Sequence, residues 1–181
     1  MRGIIAFAAL VAVVPLLVTS NVALNFLVFT MIIALAAQGW NLLGGYGGQY
    51  SFGHAAFFGT GAYLTAILQV RSGMNAYPAF AVGIALAALV GLAIGSLAFR
   101  SGLKGSYFAL VTLAFAEVFR VLANAAQVTG GAAGILIRLR QDPANFQFAE
   151  RGTFLWLAGA LVTLALMATL ALCAARRGAG E

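Results

Sequence analysis

The sequence predicts an all-α integral membrane protein of about six transmembrane helices, with a glycine-rich break between the second and the third. Three observations point there. Of 181 residues, 63% are apolar and 8% charged, with mean hydropathy +1.01, whereas a soluble domain carries about 25% charged residues. The apolar residues gather into six stretches that approach the roughly 20 residues needed to cross a hydrocarbon core about 30 Å thick. None of the stretches shows the period-two alternation of a barrel strand. The same composition excludes disorder, which joins low hydrophobicity to high charge.

The first stretch, residues 4–18, follows Met1-Arg2 and holds Pro15 near its far end. It has the look of a secretory signal, but Thr19, Ser20 and Asn21 make a weak cleavage site and five further apolar runs follow. It therefore reads as a retained first helix. The others cover residues 22–43, 54–70, 79–99, 107–128 and 153–174, so that residues 1–181 form a single transmembrane domain. Residues 129–152 make the longest extramembrane loop, opening with the turn-rich run Thr129-Gly130-Gly131-Ala132-Ala133-Gly134. Partial alternation over residues 135–140 predicts a short strand or an interfacial ribbon.

The net charge of +6 does not signal nucleic acid. The bases stand singly or in small groups instead of forming the basic stripe that such binding needs. With the N-terminus in the cytoplasm, the inner side holds Arg2, Arg100, Lys104, Arg176 and Arg177; the outer side holds Arg71, Arg138, Arg140 and Arg151. Three of the outer bases share the long loop with Asp142 and Glu150, so the positive-inside rule favours that orientation. A lone Cys173 and a lone His54 rule out a disulfide framework and a His-rich metal site.

Polar residues inside apolar runs carry the functional signal. Gly44, Gly45, Gly47, Gly48 and Gly53 each disfavour regular helix by about 1 kcal/mol relative to alanine. At membrane depth such a break is tolerated only where protein or a water-filled cavity covers the backbone. Two readings stand. Either an unwound stretch lines a translocation path with Gln38, Asn41, Gln49, Ser51 and His54, or a tight inner turn holds those side chains at the headgroups. Ser51 and His54 lack a third orienting acid and a Gly-x-Ser-x-Gly turn, so a hydrolase is set aside and His54 reads as a hydrogen-bonded residue at a helix start. Gly83, Ala87, Gly91 and Gly95, spaced by four, form a small-residue packing seam.

In the fifth stretch, Glu117, Arg120, Asn124 and Gln127 fall on one helix side through offsets of three, seven and ten. A charge at a helix centre costs about 2.5–3.5 kcal/mol on the insertion scale, which a Glu117–Arg120 pair would relieve. That pair reads as a structural ion pair, and Asn124 and Gln127 as the border of a translocation route.

Two blocks make the sequence recognisable: NLLGGYGGQYSFGHAAFFGTGAYLTAIL at residues 41–68 and GSYFALVTLAFAEVFRVLANAAQVTGGAAGI at residues 105–135. Both resemble signatures of bacterial ABC-transporter permeases for branched-chain amino acids, of the LivM-type subunit. With the flanking helices the resemblance covers nearly the whole chain. It implies a permease subunit of an ATP-driven importer in the bacterial inner membrane. It further implies a second permease of LivH type, cytoplasmic ATPase subunits, a periplasmic substrate-binding protein and membrane lipid as partners, and no cofactor on this subunit. The chain has no Gly-x-x-x-x-Gly-Lys-Ser/Thr phosphate loop, in keeping with hydrolysis on the ATPases.

Members of this family continue past the sixth helix into a cytoplasmic coupling segment and further helices. The expectation is thus the N-terminal portion of such a permease, truncated or split at Arg176-Arg177-Gly178-Ala179-Gly180-Glu181. Other readings are a ribose-type sugar or other small-solute permease of the same superfamily, a non-transporting remnant, and an ATP-independent channel.

Overall fold

The computed structural model describes residues 2–138 and 143–178. Regular structure among them is entirely helical. Six α-helices follow in order: α1 (Arg2–Leu17), α2 (Asn21–Asn41), α3 (His54–Ser72), α4 (Ala76–Arg100), α5 (Ser106–Ala125) and α6 (Arg151–Gly178). A π-turn over Leu42–Tyr46 prolongs α2, and single 3-10 turns cover Gln127–Thr129, Gly131–Ala133 and Pro143–Asn145.

Of these, α2 with its π-turn, α4, α5 and α6 are long and apolar enough to cross a membrane, which makes the chain a multi-pass membrane protein. The other two helices fall short for different reasons. The 16 residues of α1 rise about 24 Å, less than the roughly 30 Å of a bilayer core. In α3, Gly59, Thr60, Gly61, Thr65, Gln69 and Arg71 dilute the apolar character.

Local chemistry sets the helix ends. Ser20 caps α2, its hydroxyl accepting the Ala23 N–H at 3.5 Å. Gly73 closes α3 in the left-handed conformation at φ 64°, two residues after Arg71, a cation well placed against the helix dipole. The fifth helix stops at Ala125, short of the residue 128 expected from hydropathy. Ala126 turns to extended backbone (φ −77°, ψ 132°), and the Thr129 hydroxyl reaches back to the carbonyls of Ala126, at 2.7 Å, and Ala123. The strand or ribbon expected at residues 135–140 does not form over 135–138; Leu139 and Arg140 lie outside the described residues, as does Asp142. So short an alternating run gains nothing from extension without a neighbouring strand to take its N–H groups.

The chain divides into two compact units. In the first, α6 packs on α1 and α2. The Trp156 indole N–H donates to the Ala12 carbonyl at 3.2 Å, and the Arg151 guanidinium to Asn25 Oδ1 at 3.0 Å. Leu155 and Val162 are buried on α6.

The second unit, Leu43–Gln147, is built on the α3–α4 hairpin, with α5 packed on α3. The turn at Pro143–Asn145 docks on the start of α4. Asn145 Oδ1 accepts the Ala76 N–H at 3.3 Å, and the Phe146 ring sits 4.1 Å from Tyr77 and 5.7 Å from Phe80. Large apolar side chains such as Phe26, Phe29, Leu92, Leu110 and Leu164 remain exposed on the long helices, the surface that a lipid solvent calls for.

Candidate functional site: a groove between α3 and α5

Two helix faces meet in the second unit to enclose a groove of about 610 Å³, within the range of small-molecule sites. On α3 the lining positions are Ala55, Ala56, Gly59, Thr60, Tyr63, Leu64 and Ile67. Their spacing follows one face of a helix, and they extend about 18 Å along its axis. On α5 the corresponding face carries Leu113, Ala116, Glu117, Arg120, Ala123 and Asn124. Phe52 stands at one end of the groove and Thr129 at the other. The walls are mainly apolar, with a few polar groups set among them.

Hydrogen bonds hold the walls together at both ends. Residues 47–53 form no regular structure, yet they are pinned to α5. The Phe52 N–H donates to Thr112 Oγ1 at 3.2 Å, and the Gly105 N–H at the start of α5 donates to Gln49 Oε1 at 3.3 Å. Gly53 lies against the Thr112 carbonyl, where a Cβ would collide; only glycine permits that approach. Ser51, 2% exposed, accepts the Gly53 N–H at 3.2 Å. At the far end, the Arg71 guanidinium donates to the Gln127 carbonyl at 3.0 Å.

The charged feature of the groove is a side-on pair. Arg120 Nε donates to Glu117 Oε2 at 2.8 Å and Nη2 donates to Oε1 at 2.5 Å. Both side chains are more than half exposed, 63% for Arg120 and 56% for Glu117.

The residues singled out in the sequence fall in several places. Glu117, Arg120 and Asn124 share the groove lining. Gln127 does not; it lies beyond the end of α5 in the 3-10 turn that also carries Thr129. Gln49 and Ser51 serve as anchors of the 47–53 segment. His54 begins α3 and packs edge-on against Phe57 at 5.9 Å. Its Nδ1 is buried without a hydrogen-bond partner among the described residues, which corrects the expectation of a hydrogen-bonded helix-start histidine. Gln38 and Asn41 belong to the other unit, where Asn41 is exposed and Gln38 Oε1 is buried with no partner among the described residues.

Along α4, a Cβ on Gly83 would meet the Thr65 hydroxyl and lie 2.7 Å from the Gly61 carbonyl. Ala87 neighbours Gly61, and a Cβ on Gly91 would lie 3.9 Å from the Phe57 ring. Gly95 faces only Phe99 of its own helix. Sequence reasoning missed Thr60, Tyr63 and Thr129. Thr60 and Tyr63 sit among glycines and alanines with no polar stripe to mark them, and the Thr60 hydroxyl donates to the Ala56 carbonyl within its own helix at 2.7 Å.

Long apolar helices with exposed apolar flanks, one of them carrying a charge pair that faces a groove, define a polytopic helical membrane protein. The chain belongs to the family of permease components described as "Branched-chain amino acid transport system / permease component", whose sequence model matches residues 22–179. It is similar to the high-affinity branched-chain amino acid transport system permease protein LivM of Escherichia coli (strain K12). The two are 32% identical over 133 residues, covering 73% of this chain and 31% of that protein. The protein of the same name from Salmonella typhimurium is 32% identical over 117 residues, covering 64% of this chain and 27% of its own length. The chain thus spans less than a third of the length of these relatives. No solved structure matches it with significance.

Proposed function

We propose that the protein is a permease subunit of an ATP-driven importer for branched-chain or related small amino acids. One observation carries this reading: every residue lining the groove comes from residues 41–68 or 105–135, the two blocks on which the family resemblance rests.

In this proposal all six helices cross the bacterial inner membrane with the N-terminus in the cytoplasm, the short α1 being accommodated by local bilayer thinning. The 47–53 end of the groove then faces inward and the Gln127–Thr129 end outward. The glycine-rich stretch is an interrupted helix, after which Gln49, Ser51 and His54 stand at the inner mouth of the groove; Gln38 and Asn41 are proposed path residues of the first unit. Asn124 and Gln127 border its outer part.

Transport needs the groove to open to one side at a time. Because α3 and α5 are joined by a few polar bonds at their ends, a small rocking of one helix against the other would widen one mouth and narrow the other. The drive comes from separate cytoplasmic ATPase subunits, a LivH-type permease supplies the other half of the path, and a periplasmic binding protein delivers the solute.

The test is reconstitution. The chain is co-expressed with the candidate second permease, ATPases and binding protein, purified in detergent and placed in proteoliposomes with radiolabelled leucine. Co-purification and ATP-dependent uptake that requires this chain support the reading. A complex that assembles and transports equally well without it overturns the reading.

A further inference from the structure

We propose that Glu117 and Arg120 form a binding centre for the zwitterion of a free α-amino acid, the ammonium group meeting the Glu117 carboxylate and the carboxylate meeting the Arg120 guanidinium. The proposal rests on the permease reading above and deepens it by placing the substrate.

The pair is poorly explained as a stabilising device. It links adjacent turns of one helix and so fastens no two elements of the fold together, and more than half of each side chain is left uncovered by the protein. Setting two charges on a helix otherwise apolar enough to cross a membrane is unfavourable, and such groups are by default functional. Its hydrogen-bonding capacity is also incompletely used. Two N–H groups of Arg120 are engaged, and each carboxylate oxygen of Glu117 accepts one bond from Arg120. Arginine has five donors, and each carboxylate oxygen has a second lone pair. The intact pair therefore offers free donors beside free acceptors, both in the groove lining.

The choice of ligand follows from the two signs. An isolated anion is repelled by Glu117 and an isolated cation by Arg120, while an uncharged sugar makes no use of either charge. A zwitterion satisfies both. The two residues are separated by about 4.5 Å of helix rise, and an α-amino acid carries its ammonium and carboxylate on one carbon. The adjoining apolar wall of Leu64, Ile67 and Leu113 suits an aliphatic side chain. A zwitterionic lipid headgroup shares the charge pattern, and the arms of the test separate the two sources.

The experiment uses the complete importer in proteoliposomes. The charge-swapped double variant E117R/R120E keeps an ion pair at the same spacing and the same net charge. The expected result is at least a tenfold loss of leucine uptake with complex yield unchanged. Uptake at the wild-type rate shows that the pair is structural only and overturns the site while leaving the permease reading intact. Import of no amino acid by the wild-type complex overturns both.

A second measurement does not depend on the swap folding. In a Cys173→Ala background, Asn124→Cys is labelled with a thiol reagent in complexes lacking the binding protein. Leucine slows the labelling several-fold if the site exists; 4-methylpentanoate and isopentylamine, each lacking one of leucine's charges, do not. Absence of protection by leucine overturns the proposal, as does protection by phosphatidylethanolamine vesicles without protection by leucine.

Discussion

Gly53 lies so close to the carbonyl group of Thr112 that a Cβ at residue 53 would collide with it. The Thr112 hydroxyl holds the neighbouring Phe52 N–H at 3.2 Å. This contact fastens the irregular 47–53 segment to α5 and sets the end of the groove. Replacing Gly53 by alanine forces main chain away from main chain, and overpacking of this kind costs about 1–3 kcal/mol. Gly53→Ala is expected to lower the melting temperature of the detergent-purified protein, measured by fluorescence-detected thermal unfolding.

Thr112 is 2% exposed, and its hydroxyl also donates to the Ala109 carbonyl at 2.9 Å. Thr112→Val keeps the shape and removes both bonds, leaving the Phe52 N–H without its acceptor. Such a loss costs about 1–3 kcal/mol. Thr112→Ser retains the hydroxyl and is expected to melt closer to wild type than Thr112→Val in the same assay. Equal destabilisation by both would mean that packing, and not the hydrogen bond, holds the segment.

The small residues of α4 separate in the same way. Gly83 meets the Thr65 hydroxyl and the Gly61 carbonyl of α3, whereas Gly95 touches only its own helix. Gly83→Ala is expected to destabilise by about 1–3 kcal/mol through overpacking. Gly95→Ala is expected to be neutral or to stabilise by up to about 1 kcal/mol through helix propensity. Thermal unfolding of the two single variants side by side checks the contrast.

How much of this was legible in the sequence depends on how each signal is encoded. Helical character was plain because the apolar runs are long and lack alternation. The edge of the groove on α5 was legible because Glu117, Arg120 and Asn124 are polar residues at helical spacing in an apolar run. The same periodicity carried the helix past Ala125, since hydropathy does not report the turn at Ala126, where the Thr129 hydroxyl bonds backwards. The α3 wall was not legible. Ala55, Ala56 and Gly59 offer no amphipathic contrast, and only their packing against α5 makes them a surface. The alternation at 135–138 lacked the neighbouring strand that a ladder requires. The division into two units was not read from the sequence, although its boundaries, at residues 42 and 148, fall at the glycine-rich stretch and in the long polar loop.

Orientation can be read with two cysteines. Ser72 ends α3 and Ser101 follows α4, both exposed, on opposite sides of the membrane if α4 crosses it once. With Arg100 and Lys104 inside, a membrane-impermeant maleimide is expected to label Ser72→Cys in whole cells and Ser101→Cys only after the cells are opened, both in a Cys173→Ala background. The reverse pattern would invert the orientation.

Solute passage between α3 and α5 is tested most directly at Thr60, a small hydroxyl in the groove wall. In the assembled importer carrying Thr60→Cys and Cys173→Ala, a water-soluble cationic thiol reagent is expected to react and to stop leucine uptake. A cysteine that stays unlabelled in every nucleotide state, or that labels fully while uptake continues unchanged, would contradict a route through this groove.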